Sequence, residues 1–142
     1  MRKITHIVLH CTATAQTAKV AGILNYWKNT LGWKSPGYHH LIEPEGTVKD
    51  LLPIDQPSNG VRGHNAHSIH ISYIGGIDGK GRALDNRTDA QKAAQIALLK
   101  KYKTMFPGAI ICGHRDFPGV TKECPSFDVK EWLKTVELTD SE

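Results

Sequence analysis

The segment from residue 4 to residue 11 most constrains the fold, because it is apolar and β-branched on both of its faces. With a period of two, one face carries Ile4, His6, Val8 and His10, and the intervening residues form the other face. A strand that is apolar on both faces is usually central in an α/β sheet. We therefore expect a functional site at its C-terminal end, where His10 lies.

A second short apolar run, residues 109–112, is also predicted to be a buried strand, and His114 follows it after one glycine. A loop containing proline and glycine then leads to Cys124. If the two strands are parallel neighbours, His10 and His114 converge, and the loop can add Cys124 as a third zinc ligand with one coordination position left open. A zinc ion of that kind activates water and polarises a carbonyl, which favours hydrolysis of an amide or ester.

Periodicity and turn signals elsewhere predict alternating helices and strands. Strands are expected at residues 37–42, 47–51 and 68–74, and helices at residues 17–31, from Thr88 to the Pro107 stop, and over residues 129–136. The expected fold class is α/β: a single domain with a central mixed β-sheet of about five strands, covered on both faces and flanked by three main helices.

Two of these helices have a predicted buried stripe. In residues 17–31 the stripe is Val20, Ile23, Leu24, Trp27 and Leu31, and Trp27 is expected to be a core residue. The second helix begins at a capping box of Thr88 and Gln91, and its predicted buried residues are Ala94, Leu98, Tyr102 and Met105.

Composition agrees with one soluble domain over residues 1–138, followed by a polar tail at residues 139–142. Of the 142 residues, 39% are hydrophobic and 23% are charged, which is ordinary for a globular protein. The net charge of +4 comes from scattered Lys and Arg residues, so it favours an anionic polymer such as cell wall as much as nucleic acid. We expect no nucleic-acid partner and a monomer.

Cysteine usage and hydropathy bear on the compartment. Three cysteines do not form a paired framework, so free thiols or a metal site are expected. The N-terminal apolar run is too short and too polar for a secretion signal, and no run approaches the length of a membrane span. The sequence therefore predicts a product that is cytoplasmic at synthesis and has no membrane partner.

Several segments together resemble the zinc-dependent N-acetylmuramoyl-L-alanine amidases of type 2, which include phage endolysins and peptidoglycan recognition proteins. The resemblance covers nearly the whole chain. The matching segments are residues 7–13 (IVLHCTA), 37–39 (GYH), 68–69 (SI), 75–78 (GGID) and 122–128 (KECPSFD).

The resemblance implies a function and a set of site residues. It implies an amidase that cleaves between N-acetylmuramic acid and L-alanine of peptidoglycan, acting on the cell wall after release as a phage or prophage endolysin, with peptidoglycan or muropeptide as substrate. His10, His114 and Cys124 would bind Zn²⁺, and Tyr38 and Lys122 would be catalytic. Recognition-only members lack the metal-binding cysteine, so Cys124 favours the catalytic branch.

Physical chemistry agrees with the two catalytic assignments. Lys122 is two residues from Cys124, so its ammonium can reach the oxygen that becomes negative during attack on an amide. A phenol at Tyr38 can orient a water molecule or help to transfer a proton, although a pKa near 10 makes it a poor base. Some relatives use an acidic residue for proton transfer, and Glu43 and Asp78 are the candidates here.

Four further polar residues near the expected groove are predicted to contact substrate or to orient ligands: His39, His64, Asn65 and His67.

Three alternatives remain open at this point. Cys112 could close the zinc site as a fourth, structural ligand. Cys124 could instead be the nucleophile of a cysteine protease with His114 as base, although Pro125 removes the backbone N–H that helps such a thiolate. The chain could also be a peptidoglycan-binding module without hydrolysis, or, less favoured, a nucleic-acid binder with structural zinc.

Overall fold

A computed structural model describes residues 1–138 and shows a five-stranded sheet with three helices. The strands are β1 (His6–Cys11), β2 (His40–Ile42), β3 (Val48–Asp50), β4 (Ser68–Tyr73) and β5 (Ile110–Gly113). The helices are α1 (Val20–Asn25), which continues as π-helix over Tyr26–Thr30, α2 (Asp89–Met105) and α3 (Val129–Leu133). The predicted polar tail, residues 139–142, lies outside the described residues.

The sheet is mixed, in the order β3-β2-β4-β1-β5. β1 pairs in parallel with β4 and with β5, β2 pairs in parallel with β4, and only the β2–β3 hairpin is antiparallel. The expected fold class is therefore confirmed. β1 is an interior strand, as its two apolar faces predict, and Ile7, Val8 and Leu9 are fully buried.

The two faces of the sheet are covered differently. Ile7 and Leu9 pack with Leu99 of α2 and Val129 of α3 in one large core. The opposite face is covered by loops, in a smaller cluster of Val8, Val61, Cys112 and Phe117. Both faces are covered, as expected, but these two helices share one face, and the other is left to loops and to the site described below.

Helix α2 begins where the sequence predicts. Thr88 accepts the N–H of Gln91 and the Gln91 side chain accepts the N–H of Thr88, a reciprocal cap that stabilises a helix by about 1 kcal/mol.

The predicted buried stripe of α2 is wrong in detail. Tyr102 is buried as predicted, and Ala94 and Leu98 are partly buried against the core, but Met105 is 50% exposed. The other buried residues are Gln91, Gln95 and Leu99. Gln91 is buried because its Nε2 donates to the carbonyl oxygens of Ile42 and Ile74, both at 3.1 Å. A pattern of apolar residues does not predict a buried glutamine that hydrogen-bonds the carbonyl groups at the ends of two strands.

The first helical segment departs further from its prediction. Only Trp27 is buried, while Leu24 and Leu31 are 38% and 42% exposed. The physical reason is position: the segment borders two cavities, so part of its apolar stripe faces open space. The expectation that Trp27 is a core residue is confirmed.

Among residues 1–138, no helix combines the length and the apolar character that crossing a bilayer requires.

Candidate metal centre

The parallel pairing of β1 and β5 brings two predicted ligands to the same edge of the sheet. Leu9 is in register with Gly113, so His10 and His114 follow at the same level of neighbouring strands. Their ring centroids are 4.9 Å apart. This convergence is what the sequence predicted for parallel neighbours.

Cys124 reaches the same point through the loop after β5. The N–H of Arg115 donates to the carbonyl oxygen of Cys124 at 2.9 Å, which closes the loop at its base. The Cys124 Sγ then lies 3.8 Å from His10 Nδ1 and accepts the N–H of Cys11 at 3.2 Å. One ligating atom each from His10, His114 and Cys124 lies within 4.8 Å of the others.

These three residues fit a zinc ion. Zinc prefers imidazole nitrogen and thiolate sulfur, and tetrahedral geometry with ordinary bond lengths separates such an N and S by about 3.6 Å. The observed 3.8 Å between His10 Nδ1 and Cys124 Sγ agrees with that separation. Three protein ligands leave one position open, as catalytic zinc sites do.

Both imidazoles are held in the neutral form that a metal requires. Burial, followed by the nearby His70, His114 and Lys122, keeps the pKa of His10 well below its ordinary value. Burial and the Lys122 ammonium lower the pKa of His114 to about 4. Each ring therefore has a lone pair available at neutral pH.

The thiol of Cys124 has the opposite shift to that of a reactive cysteine. Its hydrogen bond with the Cys11 thiol and its burial raise the pKa of Cys124 well above the ordinary value. A nucleophilic cysteine needs a lowered pKa. The raised pKa thus disfavours the cysteine-protease alternative.

Cys112 does not join the cluster. It is buried against Val8, Val61 and Phe117, and burial raises its pKa to about 12. Strand β5 ends at Gly113 and the chain turns at His114, so the two residues do not continue along one strand face. The structure therefore does not support the closed four-ligand site.

The two predicted catalytic residues line the same cavity as the three ligands. This cavity of about 180 Å³ is bordered by Tyr38 and Lys122 as well as by His10, His114 and Cys124. The Tyr38 hydroxyl donates to the Cys11 carbonyl oxygen at 3.2 Å, and burial raises the pKa of the phenol. Tyr38 is thus a neutral donor at physiological pH, and Lys122 is solvent-exposed.

The predicted acidic helpers lie elsewhere. Glu43 is 3.8 Å from Lys49 and borders a separate pocket. Asp78 accepts the N–H groups of Lys80 and Arg82 and pairs with the Arg82 side chain. Within residues 1–138, no carboxylate lines the cavity of the three ligands.

The four predicted groove residues are placed in three different ways. His39 is fully buried and its Nε2 lies 2.7 Å from the Gln56 carbonyl oxygen. His64 packs on Phe117 with tilted rings, and His67 Nδ1 lies 3.0 Å from the Lys3 carbonyl oxygen; both histidines are at the surface. Asn65 is half-buried and faces another histidine. None of the four borders the cavities around the ligands, so their predicted contact with substrate has no support in the geometry.

Sequence reasoning missed several residues that do border these cavities. A cavity of about 560 Å³ on one side includes Ala13, Ile23 and Tyr26, and one of about 380 Å³ on the other includes Trp33 and Gly60. Trp33 carried no periodic signal because it follows Gly32 in irregular chain. The Asn59-Gly60 pair was visible only as a turn signal.

The fold and this cluster define a class of protein, an α/β protein with a candidate metal site at the edge of a mixed sheet. Residues 1–127 match the family described as N-acetylmuramoyl-L-alanine amidase, and the chain belongs to that family.

Relatives agree with this membership. The chain is 36% identical to an endolysin of Klebsiella phage KP32 over 99% of this chain and 93% of that protein. It is 34% identical to the endolysin of Escherichia phage T7, over 96% and 89% of the two chains. Among solved structures it resembles the Ph2119 endolysin from a Thermus scotoductus bacteriophage, with a TM-score of 0.80, 25% identity and coverage of 95% and 85%.

Proposed function

We propose that this chain is a zinc-dependent endolysin that hydrolyses the amide bond between the lactyl group of N-acetylmuramic acid and the L-alanine of the stem peptide. The observation that carries the proposal is the cluster of His10, His114 and Cys124 in one cavity with Tyr38 and Lys122. Family membership gives peptidoglycan as the substrate and amide cleavage as the reaction.

The three ligands would hold zinc through imidazole nitrogen and thiolate sulfur. Zinc held there would polarise the scissile carbonyl and lower the pKa of a water molecule. His10 and His114 provide neutral rings, and Cys124 must release its proton on binding, which makes metal affinity rise with pH.

The remaining residues act on the substrate. The Lys122 ammonium stabilises the negative charge that develops on the carbonyl oxygen during attack by water. The Tyr38 hydroxyl donates its proton to the Cys11 carbonyl oxygen, so its oxygen is left to accept a hydrogen bond from the attacking water and orient it. The carbon–nitrogen bond then breaks. The hydroxyl of the attacking water stays on the lactyl carbonyl carbon, which becomes a carboxyl group, and the proton of that water goes to the alanine nitrogen.

Two openings support binding of an extended substrate. The flanking cavities of about 560 and 380 Å³ lie on either side of the ligands, as a polymer with a sugar and a peptide arm requires. We propose a monomer that is made in the cytoplasm and acts on the wall after release.

The direct test measures free L-alanine amino termini released from purified peptidoglycan and from soluble muropeptides by the zinc-loaded protein. Cys124→Ala should lose zinc and turnover together while it still binds muropeptides. A binding module without hydrolysis would show no turnover in either protein and equal affinity in both, and that result would refute the amidase.

A further inference from the structure

Behind the His10 ligand lies a second histidine that the proposed reaction does not use. His70 is in the interior of β4, is 0% exposed, and its Nδ1 lies 2.8 Å from His10 Nε2. On its other side, His70 Nε2 lies 2.8 Å from Asn65 Oδ1. His10, His70 and Asn65 thus form a continuous chain of hydrogen bonds that ends at His10 Nε2, while the other ring nitrogen, Nδ1, is the one near Cys124.

The direction of this chain follows from its far end. Asn65 Oδ1 accepts the backbone N–H of Val61 at 2.8 Å. Because a backbone N–H can only donate, the atom of Asn65 that faces it must be the oxygen. The same oxygen faces His70, so His70 Nε2 must carry a proton and donate it.

The proton positions of both rings then follow in order. His70 is buried and its two ring nitrogens face the uncharged partners His10 and Asn65, so it is neutral, and a neutral imidazole protonated at Nε2 has an accepting lone pair at Nδ1. That lone pair accepts a hydrogen bond donated by His10 Nε2–H. His10 is therefore left with a lone pair on Nδ1, the atom that lies 3.8 Å from Cys124 Sγ.

We propose that His70, oriented by Asn65, is a positioning residue that fixes the tautomer and ring angle of His10 for metal binding through Nδ1. The inference rests on the proposed zinc site. Partners of this kind fix ligand orientation, and their loss typically lowers metal affinity about 10–100-fold.

Gly60 makes room for this arrangement. A Cβ at position 60 would lie 2.3 Å from the His70 ring, closer than any side chain tolerates. The backbone of Gly60 does not have a positive φ, so the need for glycine there is one of space. The loop and β4 are thus matched to each other at this point.

The experiment first measures the zinc affinity of the wild-type chain by competition with a chromophoric chelator. His70→Phe keeps the ring volume but removes both hydrogen bonds, and should weaken zinc binding about 10–100-fold. His70→Gln, whose amide again offers an acceptor and a donor, should restore affinity to within about three-fold of wild type. Gly60→Ala, which displaces the His70 ring without altering its chemistry, should weaken binding in the same direction as His70→Phe.

The matched control is His40→Phe. His40 is also buried and hydrogen-bonded on both ring nitrogens, but its partners are Asp50 and Tyr102, and none of these three residues borders the cavity of the ligands. This variant should keep wild-type zinc affinity even if it is less stable. Equal affinity loss in His40→Phe and His70→Phe would overturn the proposal, because it would reflect general damage to the core.

A second readout needs no metal. Nitrogen-15 NMR of the zinc-free protein should show His10 and His70 both protonated at Nε2 and not at Nδ1. A proton on His10 Nδ1 would overturn the inference. If the wild-type chain binds no zinc, the proposed function fails. If it binds zinc and His70→Phe binds equally well, only the role of His70 fails.

Discussion

The two histidine ligands are held by their surroundings in very different ways. His10 is 1% exposed, and its ring is tied at Nε2 by His70. His114 is half-buried, and within residues 1–138 its ring makes no hydrogen bond, so its place depends on the backbone that follows β5. One side of the site is thus built into the sheet before any metal arrives, while the other is free to adjust.

Removing each histidine ligand in turn should give the largest difference between them, in stability and not in turnover. His10→Ala and His114→Ala should each reduce turnover at least about 1000-fold, because a zinc site with two protein ligands is incomplete. In EDTA, however, His10→Ala should lower the free energy of unfolding by about 3 kcal/mol, since it leaves a cavity and an unpartnered His70. The change for His114→Ala should be below about 1 kcal/mol.

Turnover assays and urea unfolding of the zinc-free proteins measure both effects. Equal destabilisation by the two variants would contradict the comparison.

Lys122 lies in the loop that carries Cys124, and its loss should reduce turnover without reducing zinc binding. Lys122→Ala should reduce turnover about 100-fold, the usual effect of losing one group that stabilises an oxyanion. Zinc content should stay at the wild-type level, as measured by metal analysis after dialysis. Lys80→Ala, at another exposed lysine, should retain wild-type turnover. A loss of zinc in Lys122→Ala would show instead that this residue supports the ligands.

Tyr38 packs beside His10, and its loss should reduce turnover less than the loss of Lys122. Tyr38→Phe should reduce turnover about 10-fold, because it removes a hydroxyl that borders the cavity and can orient water, but it keeps the ring that packs near His10. Since burial raises the pKa of Tyr38, the phenol stays neutral, and the ratio of wild-type to variant turnover should be the same at pH 6 and pH 8. A ratio that changes between these pH values would indicate a titrating phenol.

Two buried histidines, His39 and His70, should also make the stability of the protein depend on pH. Burial lowers the pKa of His39 to about 4 and that of His70 to about 3, so the folded state binds fewer protons than the unfolded state below pH 6.5. Stability is therefore full above pH 6.5 and is lost as the pH falls towards 4. For His39 alone the loss between pH 7 and pH 6 is about 0.7 kcal/mol.

Denaturant unfolding of the zinc-free protein at pH 7 and pH 6 measures this loss. His39→Gln should remove its share of the difference, whatever its effect at pH 7. An unchanged difference in the variant would mean that His39 does not titrate on unfolding.

Much of the fold could be predicted because its signals are local. A few residues are enough to predict each of three elements. These local patterns are the apolar run with two buried faces in β1, the Thr88–Gln91 cap of α2 and the apolar run before His114. The convergence of His10 and His114 then follows from parallel pairing. The loop after β5 folds back, as expected, and places Cys124 beside the two histidines.

What could not be predicted depends on contacts between distant segments. The burial of Gln91 depends on the carbonyl groups of Ile42 and Ile74, and no periodic pattern shows a glutamine with that task. The link between His10 and His70 depends on the β1–β4 pairing and on the space left by Gly60. The exposure of Leu24 and Leu31 shows that an apolar stripe predicts a helix but not what the helix packs against.

That exposed helical segment has a consequence for how such an enzyme can diversify. Val20–Thr30 borders the cavity on one side of the ligands, yet only Trp27 anchors it in the interior. Substitutions along its outer surface therefore disturb neither the sheet nor the three ligands. We therefore expect substitutions at this border to alter substrate preference while leaving the three ligands in place.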